Sequence, residues 1–297
     1  KNLMLNAKSS KLALGTVQFG LNYGISNKNG LVNKDQARLI LSQACKNKIN
    51  TLDTAIAYGE SEKVLGEIGV SNYNIVTKLP PLPEGIRNIQ KWVFDNFYSS
   101  LYKLNLNSIY GILLHRSVDI LGEKGKILYE VLFELKSKGL IENIGASIYD
   151  PKELDDLENQ GLELDIIQAP FNLFDRRLET SGWLAKLGSM KTKIYIRSVF
   201  LQGLLLLPSE QRPQYFSKWT DHFKQWDDWL KANDISALEA CLNFLKVYSD
   251  VDKFIIGVTS QDQLLEIIAK FENNNKILDK SFEISDQNLI NPSNWIK

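Results

Sequence analysis

Four side chains able to move or steer a proton stand at or just beyond the ends of three short apolar runs. Asp53 follows residues 49–52, Lys78 follows residues 73–77, His115 follows Ile112-Leu113-Leu114, and Tyr58 lies five residues beyond Asp53. A phenol titrates near ~10 when unperturbed, too high for easy proton donation at neutral pH. A nearby ammonium favours the phenolate and lowers that pKa, and a carboxylate paired to the ammonium fixes its position and keeps it charged. A histidine beside them can hydrogen-bond a substrate carbonyl and orient it. The set suits delivery of a proton to an oxygen while something else attacks the carbon. Any one of these residues alone is more often structural or solvated than catalytic; their joint placement carries the reading. His115 has extra weight because the chain holds two histidines, and the other, His222, falls in a polar stretch read as loop.

The elements that must position them repeat in a fixed order. Strands are expected at residues 12–16, 49–53, 73–78, a run ending at His115, 143–147, 165–169, 193–198 and 253–257, each followed by a helical pattern. The first helix opens on a capping box, Asn33 with Gln36, and carries Ala37, Ile40, Leu41, Ala44 and Cys45 as one apolar stripe. Further helices are expected from Ser61, over residues 86–104 and 127–138, from Asp150-Pro151-Lys152-Glu153, from Asp175, from Ser236 and from Ser260 with Gln263. Eight such units in sequence argue for a single (β/α)8 TIM barrel over residues 1–297, an α/β fold whose active site sits at the C-terminal strand ends. An open dinucleotide-binding sheet would need a glycine fingerprint after strand one; Gly15 to Gly20 lacks the third glycine and opens no helix. Residues 199–235 interrupt the rhythm after strand seven. They carry Trp219, Trp226 and Trp229, as a satellite core or as a closing loop.

Composition narrows the function. Lysine plus arginine equals aspartate plus glutamate, 35 each among 297 residues, so no global field invites nucleic acid or an anionic membrane. No apolar run approaches the ~20 residues of a membrane span, and residues 1–10 have no signal-peptide core, so a cytoplasmic location is expected. Cys45 and Cys241 lie far from any CxxC spacing and read as free buried thiols, with no metal expected.

With the strand ends in hand, the chain resembles the aldo-keto reductase superfamily over nearly its whole length. Leu14-Gly15-Thr16 is similar to its first strand, and Asp53-Thr54-Ala55 through Tyr58-Gly59-Glu60-Ser61-Glu62, with Leu65-Gly66, to its most specific signature. Lys78, Ser100-Leu101 with Leu104, His115, Ile144-Gly145-Ala146-Ser147, Gln168, Phe171-Asn172 and Ile256-Gly257 with Gln263-Leu264 and Glu266 follow in order. The resemblance implies a barrel that binds a nicotinamide cofactor, usually NADPH, and reduces a small carbonyl compound. It makes Tyr58 the general acid, Lys78 and Asp53 its tuning pair, and His115 the group that orients the carbonyl. Ser147 and Gln168 would hold the nicotinamide carboxamide. Gly15, Thr16, Asp53, Arg197, Ser198, Gly257, Thr259, Ser260, Gln263 and Glu266 would line the rest of the cofactor's path, with the adenosine end at the helix N-terminus near Ser260. Phe19, Arg116 and Phe200, in the loops after strands one, four and seven, would meet the substrate beside Tyr58 and His115.

Three positions depart from the family's pattern. Ile148 stands where asparagine often follows the strand-five serine. Arg197 stands where an aromatic ring usually stacks on the nicotinamide; its planar guanidinium can lie against that ring or turn aside to a carboxylate or a substrate anion. Thr259-Ser260-Gln261 lacks the basic pair that clamps a 2′-phosphate, so NADH is admitted beside NADPH. The run from Arg197 to Leu204 resembles a subgroup found in bacterial surface-polysaccharide pathways, which suggests a sugar-derived substrate. Two rival readings remain on the same fold, a cofactor-sensing subunit without catalysis and a Schiff-base aldolase using Lys78. The intact tetrad speaks against the first, and the pairing of Lys78 with Asp53 against the second.

Overall fold

Parallel strands cannot be joined by tight turns and need a crossover, usually a helix, between each pair. The computed structural model, which describes residues 10–273 and 277–295, follows that rule around a complete circle. Strands β1 (Leu12–Gly15), β2 (Thr51–Asp53), β3 (Asn74–Leu79), β4 (Ile109–Leu114), β5 (Ile141–Ser147), β6 (Ile166–Pro170), β7 (Lys193–Arg197) and β8 (Lys253–Gly257) pair in order, and β8 pairs with β1. The (β/α)8 barrel expected from the sequence is the observed fold. Residues 1–9, most of the stretch read as lacking a signal core, lie outside the described residues.

The strands read as near-continuous apolar runs because both faces are covered. Ala13, Val76, Leu113, Ile166, Tyr195 and Ile255 fill the barrel interior, and a larger apolar layer lies between strands and helices. Register then levels the C-terminal ends: Gly15 pairs with Asp53 and Gly257, Ser147 with Gln168, and Pro170 with Arg197.

The outer helices are α1 (Lys34–Lys46), α2 (Ser61–Ile68), α3 (Ile89–Leu104), α4 (Gly122–Ser137), α5 (Lys152–Asn159), α6 (Arg177–Thr180), α7 (Trp183–Ser189), α8 (Thr220–Ala232), α9 (Ala237–Lys246), α10 (Gln261–Glu272) and α11 (Gln287–Ile290). Several depart from expectation for local reasons. The sixth crossover is two short helices, because Gly182 at φ 84° breaks the chain between α6 and α7. Asn33 accepts from the Gln36 backbone, but no reciprocal bond completes a capping box; Ser236 and Glu239 do form one. Cys45 is exposed at the edge of the α1 stripe, whereas Cys241 is buried; the stripe is narrower than its apolar residues suggested. His222 lies on α8, half-buried against the Phe174 ring, not in a loop.

Residues 199–235 form a satellite core with the C-terminal segment. Trp226 is fully buried against Phe174 and Phe282, Phe216 meets Trp295 edge-on at 4.9 Å, and Trp219 Nε1 donates to Asp286 Oδ2. The start of the same segment, Ser198 to Gly203, turns instead over the mouth of the barrel, with Ser198, Leu201, Gln202 and Gly203 all at positive φ.

Candidate active site

Because Asp53 closes β2 and Lys78 stands next to the end of β3, their side chains meet at the same mouth of the barrel. Lys78 Nζ donates to Asp53 Oδ1 at 2.7 Å, to Asp53 Oδ2 at 2.8 Å and to the Thr54 carbonyl at 2.9 Å. An ammonium has three donors and no acceptor, so these contacts saturate it. Both side chains are almost wholly buried. Burial lowers the Lys78 pKa while Asp53 opposes the shift. Gln168 Nε2 joins the pair, donating to Asp53 Oδ1 at 2.7 Å, and its Oε1 is buried without a partner among the described residues.

Tyr58 stands above this pair, its ring centroid 5.2 Å from Lys78 Nζ and 6.0 Å from the His115 ring, which it meets edge-on. Lys78 therefore faces the ring of the phenol with its donors already spent. The expected lowering of the Tyr58 pKa is not what the geometry produces: burial and then the Asp53 charge hold it up, and Arg197 opposes them. The proton stays on Tyr58 at any ordinary pH. His115 is pushed down to about 4, first by burial and then by the Lys78 and Arg197 charges, so its imidazole is neutral at physiological pH. Its Nδ1 is buried without a partner among the described residues.

These groups line one cavity of about 640 Å³. Of the expected cofactor residues, Gly15, Thr16, Asp53, Ser147, Gln168, Arg197, Ser198, Gly257, Thr259, Gln263 and Glu266 reach it, as does Phe200 on the substrate side. Ser260 does not; its hydroxyl caps α10 by accepting from the Gln263 backbone. Phe19 and Arg116 are not brought there either. The turn after β1 sends Gln18 into the cavity and Phe19 into the core, and Arg116 points outward to Asp119 Oδ1 at 2.7 Å.

The sequence placed the loop from Gln18 to Leu31 at the pocket without singling out Gln18, Tyr23, Lys28 or Asn29, and it missed Tyr149 as a lining residue. For Tyr149 a signal existed, since it lies two positions beyond Ser147 at the end of a barrel strand. The loop after β1 is tied across the mouth: Ile25 N–H donates to the Gln202 carbonyl, Lys28 Nζ to Gln211 Oε1, and Asn29 Nδ2 to Thr259 Oγ1. Much of the signature around Tyr58 is scaffolding. Buried Glu62 accepts from Thr77 and Ser100, and a Cβ at Gly66 would stand 2.0 Å from the Lys103 carbonyl oxygen, so α2 can sit on α3 only without one. Asn172 Nδ2 holds the carbonyl of Ser198 in its left-handed turn.

A nicotinamide ring with its carboxamide needs a flat slot, a buried acceptor for the amide and donors for its oxygen. The orphaned Gln168 Oε1, with Ser147 beside it on the paired strand, fits that need. A closed (β/α)8 barrel with a phenol, a neutral imidazole and a buried lysine–aspartate pair at its mouth defines an oxidoreductase barrel of the kind that reduces carbonyls. Residues 11–288 match the Aldo/keto reductase family, to which the chain belongs.

Among curated proteins it is similar to an NADH-specific methylglyoxal reductase of Escherichia coli K12, 26% identical over 301 residues, with 89% of this chain and 90% of the relative covered. Among solved structures it is similar to an aldo-keto reductase from Bacillus halodurans in its holo form (TM-score 0.71, 20% identity, 91% of this chain and 89% of that one). A glycerol dehydrogenase from Gluconobacter oxydans also matches (TM-score 0.67, 19% identity, 92% and 89% covered). At those identities the structural likeness speaks for the fold. No described helix is long and apolar enough to cross a membrane.

Proposed function

We propose that the protein reduces a small aldehyde or ketone, sugar-derived carbonyls included, with Tyr58 as the proton donor. A bound reduced nicotinamide would supply hydride to the carbonyl carbon. Tyr58 keeps its proton until charge develops on the carbonyl oxygen, and then releases it to that oxygen. Lys78, saturated by Asp53 and Thr54, supplies a fixed positive field beneath the ring, and Asp53 stops it from deprotonating. His115, neutral, offers an N–H to the carbonyl oxygen without competing as an acid. Ser147 and Gln168 would hold the carboxamide. The observation that carries the reading is the Tyr58 hydroxyl and the neutral His115 facing one cavity over a fully paired lysine.

The same saturation leaves Lys78 no lone pair for a Schiff base, which disfavours the aldolase reading. For the cofactor, Thr259-Ser260-Gln261 offers no base for a 2′-phosphate, and the E. coli relative is named as NADH-specific; we infer that NADH serves at least as well as NADPH. Incubating the protein with a panel of aldehydes, ketones and keto sugars should consume NADH at 340 nm, with kcat/KM at or above that for NADPH. No consumption of either cofactor across the panel, with both still bound, would leave the sensing reading in its place.

A further inference from the structure

Arg197 ends β7 and enters the cavity beside Ser147 and Gln168. Its guanidinium lies on the Tyr149 ring, Cζ 4.5 Å from the centroid. Nη2 donates to the Ile148 carbonyl at 2.9 Å and Nη1 to Ser198 Oγ at 3.3 Å. A guanidinium has five N–H donors, so among the described residues three are uncommitted. Among the described residues, Arg116, Arg176, Arg177 and Arg212 each face a carboxylate, whereas the contacts of Arg197 are to neutral groups. A guanidinium is a permanent cation, and the field of Arg197 acts on Tyr58, Lys78 and His115. The cavity thus holds a fixed positive pole, clamped by a backbone carbonyl and a ring.

We propose that Arg197 discriminates between the redox states of the cofactor, making the cavity bind the uncharged reduced nicotinamide more tightly than the cationic oxidised one. The inference rests on the reading of the cavity as a nicotinamide site. The two cofactor forms share every phosphate and sugar, so any attraction of Arg197 for those anions cancels in the ratio of affinities. What remains is the charge on the ring. Like charges a few ångströms apart in a partly wet cleft repel enough to shift that ratio roughly 5- to 100-fold. An aromatic ring in the same place would act the other way, since its negative face attracts a cation. The consequence is directional: the oxidised product is released readily, and alcohol oxidation is starved of its cofactor.

The test is the dissociation constants of NADH and NAD⁺, by quenching of tryptophan fluorescence or by calorimetry, for wild type, Arg197→Met and Arg197→Lys. Wild type should bind NADH more tightly. Arg197→Met should shrink the NAD⁺/NADH ratio of dissociation constants roughly 5- to 100-fold, and Arg197→Lys should keep most of it. Independently of any variant, the wild-type ratio should fall as salt rises from about 0.01 to 1 M, because the repulsion is screened. A ratio unmoved by both Arg197→Met and salt overturns the proposal, the more so if both forms weaken together, which would assign Arg197 to an anionic group. Wild type that binds neither form would overturn the nicotinamide reading itself, an outcome distinct from an unmoved ratio.

Discussion

At the C-terminal end of the barrel Lys78 Nζ stands 5.2 Å from the centre of the Tyr58 ring; at the N-terminal end Lys193 Nζ stands 5.0 Å from that of Tyr110. The two pairs are alike in residue type and spacing but differ in what their polar atoms meet. Lys193 donates to the Tyr110 hydroxyl and to Asn143 Oδ1, both at 2.8 Å, and Asn143 Nδ2 returns to the Tyr110 carbonyl, closing a small ring of bonds. At the other end Lys78 turns away from the phenol to a carboxylate. The Tyr58 hydroxyl is left facing the cavity, with orphaned atoms on Gln168 and His115 around it. A closed network holds strands together; an open one waits for something to complete it. Which residues are present matters less here than which of their hydrogen-bonding sites have been left open.

The comparison breaks most sharply at the tyrosines. Tyr58→Phe should lower kcat by the ~10²–10⁴-fold typical of a lost general acid while cofactor affinity holds. Tyr110→Phe should leave kcat alone and cost about 1 kcal/mol of stability. Steady-state kinetics beside urea melts separate the two, and equal kinetic effects would abolish the distinction between the ends.

The lysines come next. Lys78→Met strands a buried carboxylate and should destabilise by about 3–5 kcal/mol. Adding Asp53→Leu should restore most of that stability and none of the activity. Lys193→Met, with only neutral partners to abandon, should cost about 1–3 kcal/mol.

His115 gives a smaller, pH-dependent effect. Its folded pKa of about 4 lies below the ordinary imidazole value of 6.5, so the unfolded chain binds the extra proton first. The stability due to its neutral form is complete above pH 6.5 and is lost as pH falls toward 4, on the order of 1–3 kcal/mol after solvent screening. A His115→Asn variant should show a flatter stability curve over that window. The log of kcat/KM in wild type should show no histidine limb between pH 5 and 8.

The smallest effect is expected at the thiols. A maleimide should label exposed Cys45 in the folded protein without loss of activity, and buried Cys241 only after unfolding.

The barrel was legible in the sequence because eight apolar runs each stop on a residue that cannot continue them. Asp53, Lys78, Ser147 and Arg197 mark their ends to within a residue. What the pattern could not carry is direction within a turn. Phe19 and Gln18 are neighbours, and only the φ and ψ of a single 3-10 turn decide which faces the cavity. Nor could spacing show that Gln168 would spend its amide nitrogen on Asp53, because that bond joins β6 to β2 across the barrel mouth. The pKa of Tyr58 was misjudged for a related reason: proximity to a lysine says nothing of the burial and the Asp53 charge, which together hold the value up.

The proton donor owes its position to two atoms that are not there. A Cβ on Gly20 would lie 1.7 Å from the carbonyl oxygen of Tyr58, and one on Gly59 would lie 2.4 Å from the carbonyl oxygen of Gly20. The backbones of two loops therefore touch directly, and a single methyl group at either point would push the phenol away from its place. Descendants of this chain can rewrite the loop beyond Gly20 to admit new guests while these two backbone contacts hold the acid in place. The two glycines are the hinge pin of that freedom: specificity can drift on one side of them while the chemistry on the other stays in register.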